Sequence, residues 1–90
     1  MPKFIIERNI PQAGSLSPDA LRAISKKSRD VICKLGTDIQ WIHSYVAGDK
    51  IYCIYLAPSK ELILEHARLG GFPANSITEI SAVIDLFTAE

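Results

Sequence analysis

Ninety residues with 48% apolar and 22% charged side chains describe one small packed domain and exclude disorder. Ten Lys and Arg balance ten Asp and Glu, so the basic excess that accompanies phosphate-backbone binding is missing and nucleic acid is not an expected partner. No apolar run approaches the ~18 residues of a membrane span, and Met1-Pro2-Lys3 leads into an alternating stretch instead of an export signal. The expectation is a cytoplasmic protein without membrane contact, with a single domain over residues 1–90. Nearly half the chain is apolar, more than so small a domain hides easily, and no net charge keeps its copies apart.

The first strand is read over Lys3 to Arg8, where Phe4, Ile6 and Arg8 alternate with Ile5 and Glu7. After a loop around Pro11 and Gly14, Ser17-Pro18-Asp19 marks a helix start: a capping hydroxyl, a proline in the first turn and a carboxylate at the positive end of the dipole. Leu21, Ile24, Ser28, Val31, Ile32 and Leu35 then recur at helical spacing, and Gly36 ends the run. Ile39 to Val46 and Ile51 to Leu56 are β-branched and aromatic, joined by a tight turn at Gly48-Asp49. A second helix follows Pro58-Ser59 and stops at Gly70-Gly71, with Leu62, Ile63, His66 and Leu69 on its apolar side and Leu64 off it. A fourth strand is predicted over Ile77 to Ile84. Cys33 on a helix flank and Cys53 in a strand are expected as two unpaired thiols.

The order βαββαβ is the ferredoxin-like split unit: an α+β fold with a four-stranded antiparallel sheet in the order 4-1-3-2 and both helices on one face. Centring the hairpin turn pairs Val46 with Ile51, Tyr45 with Tyr52, Ser44 with Cys53, His43 with Ile54, Ile42 with Tyr55 and Trp41 with Leu56. One face then carries Trp41, His43, Tyr45, Tyr52, Ile54 and Leu56, and the other Ile42, Ser44, Val46, Ile51, Cys53 and Tyr55. Neither face is polar, yet two helices cover only one. The aromatic face is therefore expected to meet a second copy in a homodimer resembling an α/β-barrel, with a sheet-lined cavity between the subunits. Phe4, Ile6, Ile80, Ala82 and Ile84 are assigned to the helix side. Ile5, Glu7, Glu79, Ser81 and Val83 are assigned to the cavity side.

No catalytic sequence motif is present. The titratable set on the cavity face is Glu7, His43 and Glu79, and an imidazole with carboxylates suits nickel or another divalent transition metal. The alternative for these groups is structural, with the carboxylates paired to Arg8 or Lys3 and His43 bonded to a tyrosine. His66, central in the second helix, reads as a core histidine bonded to a backbone carbonyl. It lies across the sheet from His43 and joins a metal only through the Gly70-Gly71 segment or a second copy.

The segments Trp41-Ile42-His43-Ser44-Tyr45-Val46 and Lys50-Ile51-Tyr52-Cys53 resemble a small bacterial family long catalogued as a domain of unknown function. The most specific piece is Glu65-His66-Ala67-Arg68-Leu69-Gly70-Gly71-Phe72-Pro73-Ala74, and Pro11-Gln12-Ala13-Gly14 and Val83-Ile84-Asp85 extend the likeness over nearly the whole chain. The resemblance implies a ferredoxin-like fold, a dimer and, for at least one member, nickel binding. It supplies no ligand set and no reaction. The leading expectation is thus a dimeric metal-binding protein, with His43 as the imidazole ligand. A dimeric barrel enzyme using His43 as a base on a small apolar molecule is the alternative, and a pure interaction module is a third reading.

Overall fold

The computed structural model describes residues 1–36 and 38–89. Four strands, β1 (Lys3–Asn9), β2 (Gln40–Ala47), β3 (Lys50–Leu56) and β4 (Ser76–Glu79), form one antiparallel sheet in the order β2-β3-β1-β4. This is the expected 4-1-3-2 order seen from the other edge. Two helices, α1 (Pro18–Leu35) and α2 (Lys60–Gly70), lie together on one face. Among the described residues no helix is long and apolar enough to cross a membrane.

The local signals act as their chemistry dictates. Ser17 Oγ accepts from the Ala20 N–H at 3.1 Å and caps α1, with Pro18 in the first turn. The buried side of α1 is Ser28 and Val31, flanked by half-buried Leu21, Ile24, Ile32 and Leu35. Against it the sheet sends Phe4, Ile6 and Arg8 from β1, Ile51, Cys53 and Tyr55 from β3, and Ile77 from β4, all buried. Ile63 of α2 closes this core with no exposed surface. Cys53 is buried in it and Cys33 lies exposed on α1, both as free thiols.

Two registers differ from the expectation. From Val46 to His43 the hairpin pairs as read from the turn, but Trp41 then faces Tyr55 and Gln40 faces Leu56, with a bulge between Trp41 and His43. Ile42 is the extra residue, 43% exposed and outside the helix-facing set. Trp41 is accordingly not on the aromatic face. It turns to the helix side, packs against the core and donates its indole N–H to Ser44 Oγ at 2.9 Å. An indole has far more apolar area to bury than the residues around it, and only the helix side offers cover. The bulge is what re-aims it.

The fourth strand is shorter than expected and has the opposite parity. Ile77 pairs with Ile6 and Glu79 with Phe4, so both belong to the helix side of the sheet and Glu79 leaves the face that carries Glu7. The ladder ends with the Ile80 N–H donating to the Lys3 carbonyl at 2.7 Å. Beyond Lys3 stands Pro2, which has no N–H and whose carbonyl already accepts from Ala57. With no partner left, the chain quits the sheet, and Val83, Ile84, Leu86 and Phe87 end up exposed.

The indole bond gives a direct check on the bulge. Ser44→Ala leaves the Trp41 N–H without its acceptor and is expected to lower stability by about 1 kcal/mol, measured by urea unfolding followed through the emission of Trp41. Equal midpoints for variant and parent would mean that the indole is not held as described.

Candidate functional sites on the two sheet faces

On the face that no helix covers, His43, Ile54, Ile5 and Thr78 lie in one row across the strands, and Tyr45, Tyr52, Glu7 and Ser76 in the next. His43 is exposed, with Nε2 3.0 Å from Tyr45 Oη and the two rings edge to face at 4.9 Å. Tyr45 is itself 58% exposed, and Tyr52, Ile54 and Leu56 stand half-buried beside it. Glu7 does not pair with Arg8: its Oε1 accepts from Lys50 Nζ at 2.5 Å, and its Oε2 accepts from Ser76 Oγ at 3.4 Å. The hydrogen bond and charge of Lys50 hold the Glu7 carboxyl below the usual carboxylate range and raise the Lys50 ammonium correspondingly.

Of the four residues expected around a metal, His43 and Glu7 share this face, two strands and one row apart, or about 12 Å. Glu79 is on the other side of the sheet through the parity of β4, and His66 is buried beneath the helices. Among the described residues no three His, Cys, Asp or Glu side chains come together as a metal site. One copy of the chain does not assemble the proposed ligand set.

His66 is a core histidine. Its Nε2 lies 3.2 Å from Ser28 Oγ and 3.4 Å from the Ser28 carbonyl, and Ser28 Oγ continues to Tyr55 Oη at 3.3 Å. A carbonyl accepts only, so Nε2 carries the proton; Nδ1 has no partner. Burial pushes the imidazole below its ordinary value, opposed by the Ser28 carbonyl and assisted by the charge of Arg8. The ring is therefore neutral near pH 7. Burial likewise pushes the Tyr55 phenol up.

The run from Glu65 to Ala74 is explained by what covers that imidazole. Gly71 closes α2 in the left-handed region with φ 68°, and the Phe72 N–H returns to the Ala67 carbonyl at 2.9 Å. This turn lays the Phe72 ring on His66, stacked at 5.5 Å. Gly70 leaves the space: a Cβ there would sit 2.3 Å from the Phe72 ring. The same ring lies 5.3 Å from the Arg8 guanidinium carbon.

Arg8 is the residue whose importance the sequence reading missed, although its place in the Phe4, Ile6, Arg8 alternation already sends it inward. It is 3% exposed. Its Nη1 donates to the Pro73 carbonyl at 2.6 Å and its Nε to Cys53 Sγ at 3.4 Å, while Nη2 has no partner. Arg8 lines a cavity of about 160 Å³ between α1 and the sheet.

The element order, the sheet order and helices on one face only define a ferredoxin-like α+β protein. A family described as nickel responsive protein SCO4226-like matches residues 4–80, and the chain belongs to that family. The fold is also that of SCO4226 from Streptomyces coelicolor A3(2), known from a crystal structure, with a TM-score of 0.74 at 19% sequence identity over 91% of this chain and 99% of that one. No curated protein sequence matches. The resemblance carried by the Glu65–Ala74 run thus led to the right family.

Two measurements probe the buried histidine. Gly70→Ala forces the Phe72 ring off His66 and is expected to cost about 1–3 kcal/mol, read by chemical denaturation. Because the folded His66 binds its proton less readily than the unfolded one, its contribution to stability is complete above the unfolded value near 6.5 and is lost as pH falls below it. Melting temperatures taken from about pH 7.5 to about pH 5.5 should fall for the parent and fall less steeply for His66→Gln.

Proposed function

We propose that this protein binds nickel, or another divalent transition metal, on the uncovered sheet face, and that two copies bring those faces together to complete the site. The observation that carries the reading is the exposed His43 imidazole, set among Tyr45, Tyr52, Ile54 and Leu56 on a face no helix covers, in a chain of a nickel responsive family. Imidazole nitrogen is a fitting donor for nickel, and carboxylate oxygen extends the set. Since one chain holds too few ligands, the second copy supplies the others. A twofold arrangement doubles every donor on the face, His43 first and Glu7 after it.

The apolar side chains favour the same assembly. Tyr45, Tyr52, Ile54 and Leu56 lose contact with water when the faces meet, at roughly 25 cal/mol for each Å² of apolar surface removed. The absence of net charge leaves that approach without long-range repulsion. Lys50 holds Oε1 of Glu7 and competes with a metal for that carboxylate, so His43 is the principal ligand and Glu7 the lesser one.

Calorimetric titration of chelator-treated protein with nickel chloride tests the site. His43→Ala is expected to weaken nickel at least about tenfold, and Glu7→Gln by less. Ile54→Glu places a charge on the face and is expected to yield monomers by sedimentation and to lose nickel with them. Unchanged nickel affinity in His43→Ala would place the metal elsewhere.

A further inference from the structure

We propose that the cavity between α1 and the sheet binds a small organic carboxylate with an apolar body, held through the guanidinium of Arg8. The site is on the opposite side of the sheet from the metal reading above and does not depend on it.

The case begins with a charge. Arg8 is buried, and a guanidinium is not relieved of its charge by burial. Among the described residues the ion pairs are Asp19–Arg22, Asp30–Arg29, Glu7–Lys50 and Glu65–Arg68; none involves Arg8. Its protein partners are a neutral carbonyl, a thiol and the face of Phe72. An isolated buried cation is among the costlier features a small domain carries, and a counterion is what removes the cost.

The cavity supplies room for one. Leu21 and Ile24 of α1 and Ile51 of β3 give it apolar walls, and Trp41 reaches it because the bulge turned that side chain inward. A volume of about 160 Å³ is close to that of cavities known to hold a benzene ring. The hydroxyls along it are already engaged: Ser25 Oγ donates to the Leu21 carbonyl, Ser28 Oγ joins Tyr55 and His66, and Ser44 Oγ accepts from Trp41. Arg8, which lines the cavity, keeps Nη2 as a buried donor without an acceptor, and the Ser44 O–H, whose oxygen only accepts, is a second free donor.

Those two features specify the ligand class. Apolar walls ask for a hydrocarbon body about the size of an aromatic ring, and the guanidinium asks for an anionic oxygen. A planar carboxylate meets a guanidinium edge with parallel, charge-assisted hydrogen bonds. A compact inorganic anion leaves the apolar walls without contacts, and a neutral ring leaves Arg8 as it was.

Titration of ¹⁵N-labelled protein with sodium benzoate, benzyl alcohol and sodium sulfate tests the assignment. The indole signal of Trp41, the protein's one tryptophan, serves as reporter inside the cavity. Benzoate is expected to shift Trp41, Ser25 and Ser28 saturably, and benzyl alcohol to bind about ten- to a hundredfold more weakly. Arg8→Met should remove the preference for benzoate. Ser25→Leu keeps Arg8 but fills the cavity, and should abolish benzoate binding. His43→Ala should leave it unchanged, which separates this site from the nickel site. Equal binding of benzoate and benzyl alcohol, competition by sulfate at equal strength, or no saturable shift at these residues would each overturn the proposal.

Discussion

Two helices cover one face of a four-stranded sheet, and the alternation of side chains along each strand decides what they cover. Phe4, Ile6, Ile51, Cys53, Tyr55 and Ile77 go beneath the helices and are buried; their neighbours in sequence go to the other side whether or not anything meets them there. Most antiparallel sheets settle the second face by making it polar. Here that face carries Tyr45, Tyr52, Ile54 and Leu56. The apolar excess visible in the composition shows most on this surface and in the exposed residues Val83, Ile84, Leu86 and Phe87 beyond β4, with Ile42, Val46, Leu64 and Leu69 exposed elsewhere.

Parity was legible in the sequence where a turn fixed it and illegible where nothing did. Gly48 and Asp49 set the register of β2 against β3 correctly back to His43. The bulge at Ile42 then reversed the face of Trp41, and no residue type in that stretch announces a bulge. At β4 the stretch from Ile77 to Ile84 has apolar residues at both parities, so the pattern alone could not choose between them. The pairing of Ile77 with Ile6 buries Ile77 on the helix side and settles the parity, while the end of β1 at Lys3 and Pro2 only shortens the strand. A register set against a strand far away in sequence thus moved Glu79 across the sheet and dissolved half of the expected carboxylate pair.

The Glu65–Ala74 run marks the family in sequence, and its physical content is packing. Gly71 turns the chain, Gly70 makes room and Phe72 lies over His66. His66 in turn ties α2 to α1 through Ser28 and to β3 through Tyr55. A histidine inside a family motif invites a ligand role, yet this one is neutral and committed to holding three elements together. The exposed histidine, His43, has no such structural duty beyond its contact with Tyr45. The distinction rests on burial and partners, which periodicity alone does not reveal.

The two sides of the sheet are incomplete in different ways, and this separates what can complete them. The uncovered face lacks apolar contact, which any matching surface supplies, and a second copy carries such a surface by construction. Arg8 lacks negative charge, which hydrophobic contact cannot supply. The sheet stands between the two, so pairing of the uncovered faces leaves the surroundings of Arg8 as they are. The proposed pairing and the proposed anion site therefore answer separate demands, and satisfying one does not satisfy the other. For a chain served only by the proposed metal face, an apolar residue in place of Arg8 would avoid burying an unpaired charge. An unpaired guanidinium beside a benzene-sized cavity instead fits a chain that receives an anion there.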